Sequence, residues 1–402
     1  VSDSEVCDVP RYDADLFADA ALRDPFPHYR AIRDIGPVVR LAVPDVYAIG
    51  RFSDVKAALR APDILINGRG VGFNDVVNAL SDRPRAIQSD GERHRRLRAT
   101  IARPLVPNEL RAQRPLLKAI IAEQVGGLLG AGTFDAVPAL ARHLPLQAVA
   151  HLVGLPEEGR SRMLLWASAS FNTLGVLERD GVVSPQIEAD LATRREVRAY
   201  LDDIDPAELR DGSWAARMFV AVDTGRLTLD EARAAIAAFV LPSLDTTIYA
   251  KANLLYSLGR DPDQWARLRA DPALIPSAVL EGVRHSAVVR WFSRFAMSDY
   301  DAGGVHVPAG ARVMVIYGSA NRDERHYPDP DRFDVARSPA DQLGWGAGPH
   351  LCVGLHLAQI EMEVLLEALV ERVDRLEVDA PVFGTNRGLY GIDSMPMRLV
   401  AA

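Results

Sequence analysis

One cysteine stands in a glycine-rich loop directly before an amphipathic stretch, in Trp345-Gly346-Ala347-Gly348-Pro349-His350-Leu351-Cys352-Val353-Gly354. Glycine at 346 and 348 lets the backbone turn tightly and approach a flat macrocycle. The amides after Cys352 and the start of the following helix place positive partial charge around the sulfur. Such surroundings favour the thiolate over the thiol. A thiolate that ligates haem iron pushes electron density onto the metal and favours O–O cleavage, so the loop points to oxygen activation rather than oxygen carriage. Without the glycine spacing, a lone cysteine reads as a small buried hydrophobe.

A second candidate is the acid–alcohol pair Asp245-Thr246, in Pro242-Ser243-Leu244-Asp245-Thr246-Thr247. The pair lies in a long apolar stretch that Thr228-Leu229-Asp230-Glu231 opens as a capping box and that Gly259 and Pro262 close. About thirty residues predict a helix of roughly 45 Å, enough to cross a globular domain. A threonine hydroxyl can orient water, and a carboxylate beside it can resupply protons. Away from a reactive centre, the same pair is an ordinary helical segment whose hydroxyl bonds back to the preceding turn. Pro242 costs about 3 kcal/mol inside a helix, because its ring removes a donor and crowds the carbonyl one turn back. The expectation is one kinked helix, with the carbonyl of Ala238 left to water or to the hydroxyls of Ser243 and Thr246.

Charged residues at helical spacing form the third group. His94 and Arg98, in Gly91-Glu92-Arg93-His94-Arg95-Arg96-Leu97-Arg98, are four apart and share a face. Glu281 and Arg284 are three apart, a pair worth only about 0.3–0.5 kcal/mol on a surface. The basic segment alone reads as a solvated face or a nucleic-acid patch. The chain carries 46 Lys and Arg against 54 Asp and Glu, a net charge of -8 that opposes binding to a polyanion. No nucleic-acid partner is expected.

Together these segments resemble the cytochrome P450 family. Trp345, Gly346, Gly348, His350, Cys352 and Gly354 fill the positions of its haem-binding signature, with Trp345 where phenylalanine is usual. Glu281-Gly282-Val283-Arg284 matches the family's Glu-x-x-Arg, and Arg337 matches the arginine that completes that structural cluster. The resemblance implies haem b held through Cys352 and O2 as co-substrate. His94, Arg98, Arg294 and His350 would clamp the haem propionates, as charge-assisted bonds to carboxylates suit arginine and histidine. Asp245 and Thr246 occupy the catalytic acid and alcohol positions, while Pro242 and Ser243 depart from the two small residues that precede them. The implied fold is mainly α: one large P450 domain over residues 1–402, with small β-sheets and a long central helix over the haem.

By family position, the substrate pocket draws on Val71, Phe73, Phe171, Asn172, Phe239, Leu244, Val289, Trp291, Phe292 and Leu389, an apolar and aromatic lining suited to a small molecule. The downstream half, with Phe171-Asn172, is similar to bacterial members that oxidise para-substituted aromatic acids. Where those members carry an Arg-Ser pair that helps hold the substrate carboxylate, this chain has Ala237-Ala238. Gly68-Arg69-Gly70-Val71-Gly72-Phe73 lacks the third glycine of a dinucleotide loop and reads as a flexible loop over the pocket. With no flavin or nicotinamide motif, electrons must come from another protein. The resemblance implies a ferredoxin served by an NAD(P)H-dependent ferredoxin reductase, and Arg93, Arg95 and Arg96 could face such an acidic partner.

Hydrophobic residues make up 48% of the 402, enough for a substantial core, and no apolar run reaches the length of about twenty that spans a bilayer. The polar start Val1-Ser2-Asp3-Ser4-Glu5 argues against a signal peptide or membrane anchor, so a cytoplasmic bacterial protein is expected. Cys7 is read as a free thiol without a role. Short strands are expected at 38–41, 46–49, 304–308 and 312–316, an early helix after Pro25, and an irregular meander over 322–330. The functional reading is a haem-thiolate monooxygenase that hydroxylates or O-dealkylates a small aromatic or secondary-metabolite substrate. Oxidative coupling of aromatic groups in a short peptide or natural product is one alternative. A haem sensor or electron-transfer protein is another, although a sensor needs no acid–alcohol pair.

Overall fold

The computed structural model describes residues 9–79, 83, 85–179 and 182–402, so Cys7 lies outside the described residues. Ten helices carry the architecture: α1 (Phe26–Ile35), α2 (Gly91–Ala102), α3 (Pro107–Leu128), α4 (Glu157–Asn172), α5 (Pro185–Asp203), α6 (Trp214–Asp223), α7 (Leu229–Val240), α8 (Asp245–Arg260), α9 (Ile275–Ser286) and α10 (Leu355–Arg372). The strands are β1 (Arg11–Tyr12), β2 (Val39–Leu41), β3 (Tyr47–Ile49), β4 (Leu65–Ile66), β5 (Phe134–Asp135), β6 (Trp291–Ala296), β7 (Arg312–Ile316), β8 (Val373–Val378) and β9 (Pro396–Ala401). They form a six-stranded sheet in the order β1-β2-β3-β7-β6-β4 and a three-stranded sheet in the order β8-β9-β5; short two-stranded ribbons complete the β-structure. The architecture is mainly α with small sheets, as expected.

Helix α7 starts where its sequence says. Thr228 Oγ1 accepts from the amide of Glu231 at 3.2 Å, and Glu231 Oε2 accepts from the amide of Thr228 at 3.0 Å, a complete capping box. The same Glu231 receives Arg96 of α2, so one carboxylate caps α7 and ties it to α2.

The central element is two helices rather than one kinked helix. α7 ends at Val240, residues 241–244 form turns and bends, and α8 restarts at Asp245. Pro242 is the cause: it has no amide for the carbonyl of Ala238, and its ring crowds that carbonyl. Thr246 Oγ1 donates to the carbonyl of Pro242 at 2.7 Å rather than to Ala238, and Ser243 Oγ is buried without a partner among the described residues. The sequence located the weak point but underestimated its extent.

Beyond the break, α8 packs on α9 and is tied to α10 by a fully buried ion pair, Lys251 Nζ to Glu361 Oε2 at 2.6 Å. α10 follows the cysteine loop and packs along α3. These contacts belong to the largest apolar core, where Leu254, Leu255, Leu258, Leu365 and Leu366 are completely buried. The loop is therefore followed by a helix seated in the largest apolar core.

Candidate active site

Gly346 and Gly348 adopt positive φ, at 73° and 68°. A Cβ on Gly348 would collide with the carbonyl of Leu59, so glycine is required there by conformation and by space. The Cys352 amide donates to the carbonyl of Trp345 at 2.9 Å, and the Leu351 amide to that of Gly348 at 3.1 Å, which closes the loop. Burial pushes the Cys352 thiol up; the amides of Gly354 and Leu355 and the Arg98 guanidinium oppose that shift. The helix-start amides meet the sulfur as the sequence implied, but burial outweighs them, so without an iron partner the surroundings favour the thiol rather than the expected thiolate.

Residues 94, 98, 294 and 350 come together beside this loop from three distant elements. The rings of His94 and His350 lie 4.2 Å apart, and both Arg294 and Arg98 repel a charge on His350. Strand β6 supplies Arg294, and its pairing with Val313 of β7 fixes the register. Asp90 stands 3.9 Å from His350 Nε2 and is itself bonded to the amides of Asn67 and Gly68 at 3.0 and 2.7 Å. His94 Nε2 is buried with no hydrogen-bond partner among the described residues. Burial, then His350 and Arg98, depress His94 to about 4. Two arginines and two imidazoles, one with a buried nitrogen still unpartnered, fit the carboxylates of a bound cofactor, because carboxylate oxygens would answer the arginine charge and give that nitrogen a partner.

Asp245 lines a polar cavity of about 390 Å³, together with Arg142, Asn172, Asp190, Tyr249 and Asp393. Burial raises its carboxyl to about 7, with Arg142 opposing and Asp393 reinforcing the shift. Tyr249, one turn on, donates to Asp393 Oδ1 at 2.7 Å. Sequence spacing could have found Tyr249, four residues after Asp245. Arg142 and Asp393 come from remote segments and carried no local signal.

The Glu281 cluster closes completely. Arg284 grips Glu281 through Nε at 2.6 Å and Nη2 at 2.8 Å, Arg337 Nε reaches Glu281 Oε1 at 3.1 Å, and the rest of both guanidiniums goes to carbonyls of residues 321–332.

The expected substrate lining divides. Trp291 stacks on Phe73 at 4.2 Å, and Phe17 stands edge-on to both, which places Trp291 in a core beneath the amino-terminal segment. Strand alternation explains this: Trp291 points to the opposite face from Phe292 and Arg294. Phe239 packs on Trp214 of α6, with ring centres 5.3 Å apart. Asn172 lines the polar cavity and bonds to Asp190 and the amide of Arg387. Phe171 and Leu244 are buried in the main core, and Val289 bridges Leu389. The loop carrying Val71 is tied down rather than loose, since Ser293 donates to Val71 O at 2.9 Å and to Gly72 O at 2.8 Å. Of the basic face, Arg95 pairs with Glu92 and Arg96 with Glu231.

The chain is 34% identical over 401 residues to cytochrome P450 CYP199A2 of Rhodopseudomonas palustris, covering 98% of this chain and 95% of that protein. The chain belongs to the cytochrome P450 family. The family's cytochrome P450 profile matches residues 195–378. The 6-deoxyerythronolide B hydroxylase of Saccharopolyspora erythraea is 30% identical, covering 96% of this chain and 98% of that one. Among solved structures, cytochrome P450 CYP109Q5 from Chondromyces apiculatus superposes with a TM-score of 0.80 at 27% identity, over 97% of this chain and 99% of that one. P450BioI superposes at 0.84 with 22% identity, over 95% and 99%, a likeness of fold. This P450 is an oxidoreductase with haem b as its cofactor and O2 as co-substrate. No helix among the described residues is long and apolar enough to cross a membrane.

Proposed function

We propose that the protein is a haem-thiolate monooxygenase with Cys352 as the iron ligand, and that it hydroxylates or O-dealkylates a small aromatic or secondary-metabolite substrate. The observation that carries the reading is the convergence of His94, Arg98, Arg294 and His350, with His94 Nε2 unpartnered among the described residues, beside a cysteine loop that only glycine can build. Those four residues hold the haem propionates. Bound haem supplies the activation of O2; the chain's own residues bind, orient and deliver protons. The Thr246 hydroxyl spends its proton on the Pro242 carbonyl, so its oxygen is left to accept a bond from water. Asp245, half-protonated near neutral pH, can pass a proton from the polar cavity to that water.

Electrons come from a ferredoxin and its reductase, the protein works in the cytoplasm, and residues 1–402 act as one catalytic unit. Relatives named as hydroxylases, including the 6-deoxyerythronolide B hydroxylase of Saccharopolyspora erythraea, support oxygen insertion over coupling. Two measurements test the reading together: the absorption band of the reduced carbon monoxide complex, and the product mass from a substrate screen. A thiolate-type band with products heavier by one oxygen is expected. Products lighter by two hydrogens would replace insertion by coupling, and absence of turnover despite a normal band and reduction would favour a sensor.

A further inference from the structure

Six acids are buried among the described residues, and five of them are bonded to a donor: Asp190 to Asn172, Glu231 to Arg96, Glu281 to Arg284, Asp323 to the Phe52 amide and Glu361 to Lys251. Asp245 is the sixth. It is 6% exposed, receives no hydrogen bond among the described residues, and opens onto the polar cavity of about 390 Å³, which has space for several water molecules. A carboxyl held in this way can trade protons with water without first breaking another bond.

A second acid lines the same cavity and is exposed: Asp393, in the short ribbon that pairs Val382–Phe383 with Ile392–Ser394. It marks the side of the cavity that meets solvent. Tyr249, one turn after Asp245 and on the same face of α8, donates its hydroxyl to Asp393 Oδ1 at 2.7 Å. The ribbon is shaped for this pair, since a Cβ on Gly391 would collide with the Tyr249 ring and one on Gly384 with the Asp393 carboxylate. Ser394 Oγ and the Met395 amide then bond to Asp135 at 2.7 and 3.0 Å, which anchors the ribbon to β5. One phenol thus ties the helix that carries Asp245 to the strand that carries Asp393.

The charged and titratable groups that share the cavity with Asp245 come from every side: Arg142 from the segment after residue 141, Asp190 from α5, Tyr249 from α8 and Asp393 from the ribbon, while α4 offers only the neutral Ser168 and Asn172 as polar groups. Asp190 is occupied by Asn172 and Gln186. Burial raises the Asp245 carboxyl to about 7, Arg142 opposes the shift and Asp393 adds to it. Burial, then the charge and the hydrogen bond of Asp393, push the Tyr249 phenol up, so it keeps its proton and acts as a fixed donor.

We propose that Asp393 is the outer station of the proton supply: it takes protons from solvent at the open side of the cavity and returns them, through cavity water, to Asp245 each time Asp245 has given one up towards Thr246. Each hop breaks one O–H bond and forms another. For every proton delivered one enters from solvent, and both carboxyls end as they began. Asp393 and Tyr249 are positioning residues, because they act through Asp245. The proposal rests on the monooxygenase reading with Asp245 as its acid, and adds the route by which that acid is recharged.

The test uses haem-loaded protein with ferredoxin and ferredoxin reductase in excess, and follows oxygen consumption from about pH 6 to about pH 8 in H2O and in D2O. Asp393→Asn should slow consumption roughly threefold or more at the alkaline end and much less at the acid end, where Asp245 is protonated without it, and should enlarge the solvent isotope effect. Asp393→Glu should restore both. Tyr249→Phe, which keeps the carboxylate but frees it, should shift both in the same sense, and it carries the test if Asp393→Asn fails to fold. Glu377→Gln removes the same charge from an exposed site on β8 and should change nothing. In parallel, the infrared carboxyl band assigned by its loss in Asp245→Asn should titrate at lower pH in Asp393→Asn than in the wild type. A wild-type rate and isotope effect in Asp393→Asn, a loss equal at every pH that glutamate does not restore, or an unmoved infrared titration would overturn the outer station. If Asp245→Asn itself leaves oxygen consumption unchanged, the assignment of Asp245 as the acid fails instead.

Discussion

Two groups of buried charge, one around Glu281 and one around His350, are finished to different degrees. Around Glu281, every strong donor of Arg284 and Arg337 has an acceptor and both carboxylate oxygens are used. In the His350 group, two arginines and two histidines meet a single carboxylate, Asp90, among the described residues, and His94 keeps an unpartnered ring nitrogen. A satisfied ionic cluster costs little to keep and a great deal to open, so it acts as structure. An under-neutralised cluster is costly until something arrives to complete it, so it acts as a binding site.

Removing one partner from the finished cluster should have the largest effect. Glu281→Ala leaves two guanidiniums without their carboxylate and should cost about 3–5 kcal/mol, read from denaturant unfolding of the purified protein. His94→Ala should instead change the stability of the cofactor-free chain by less than about 1 kcal/mol, because Nε2 has no bond to lose. The same variant should release haem roughly tenfold faster or more, the loss of a charge-assisted bond worth about 1.5–3 kcal/mol, in a transfer assay to an acceptor globin. If His94→Ala destabilises the cofactor-free chain as much as Glu281→Ala does, the two clusters are alike and the distinction fails.

Asp245 sharpens the comparison with a group whose incompleteness is tuned to protons. Burial holds its carboxyl near 7, above the ordinary 3.8. The folded state therefore binds this proton more tightly than the unfolded state, and its contribution to stability falls as pH rises from about 4 to about 7. Asp245→Asn should flatten that decline and slow oxygen consumption, as followed by thermal melts across pH and by an oxygen electrode. The smallest effect is expected at Pro242. Pro242→Ala should join α7 to α8, add about 1 kcal/mol, a fraction of the roughly 3 kcal/mol proline costs in an intact helix, and lower product formed per reduced nicotinamide. Normal coupling with altered substrate affinity would assign Pro242 to cavity shape alone.

Sequence made the loop at Cys352 and the capping box at Thr228 legible because both are local: backbone conformation and one turn of helix decide them. It also located the acid–alcohol pair. What it could not show were surroundings assembled over long distances, such as Arg142 and Asp393 around Asp245. Family position, which nominated Trp291 and Phe239 for the substrate lining, does not say which face a side chain takes. Trp291 and Phe239 are apolar and near the site in sequence, yet strand alternation turns the first into the amino-terminal core and helical rotation turns the second onto Trp214. The break at Pro242 was visible as a single costly residue, but its four-residue extent depends on the Thr246 bond that stabilises the opened turn.

The central claim is that Cys352 ligates the iron of a haem seated against the His94–His350 cluster. Reduced protein under carbon monoxide should show the red-shifted absorption of a thiolate-ligated haem, and Cys352→His should abolish that band while haem is retained. A band that survives the substitution at full intensity would contradict the assignment.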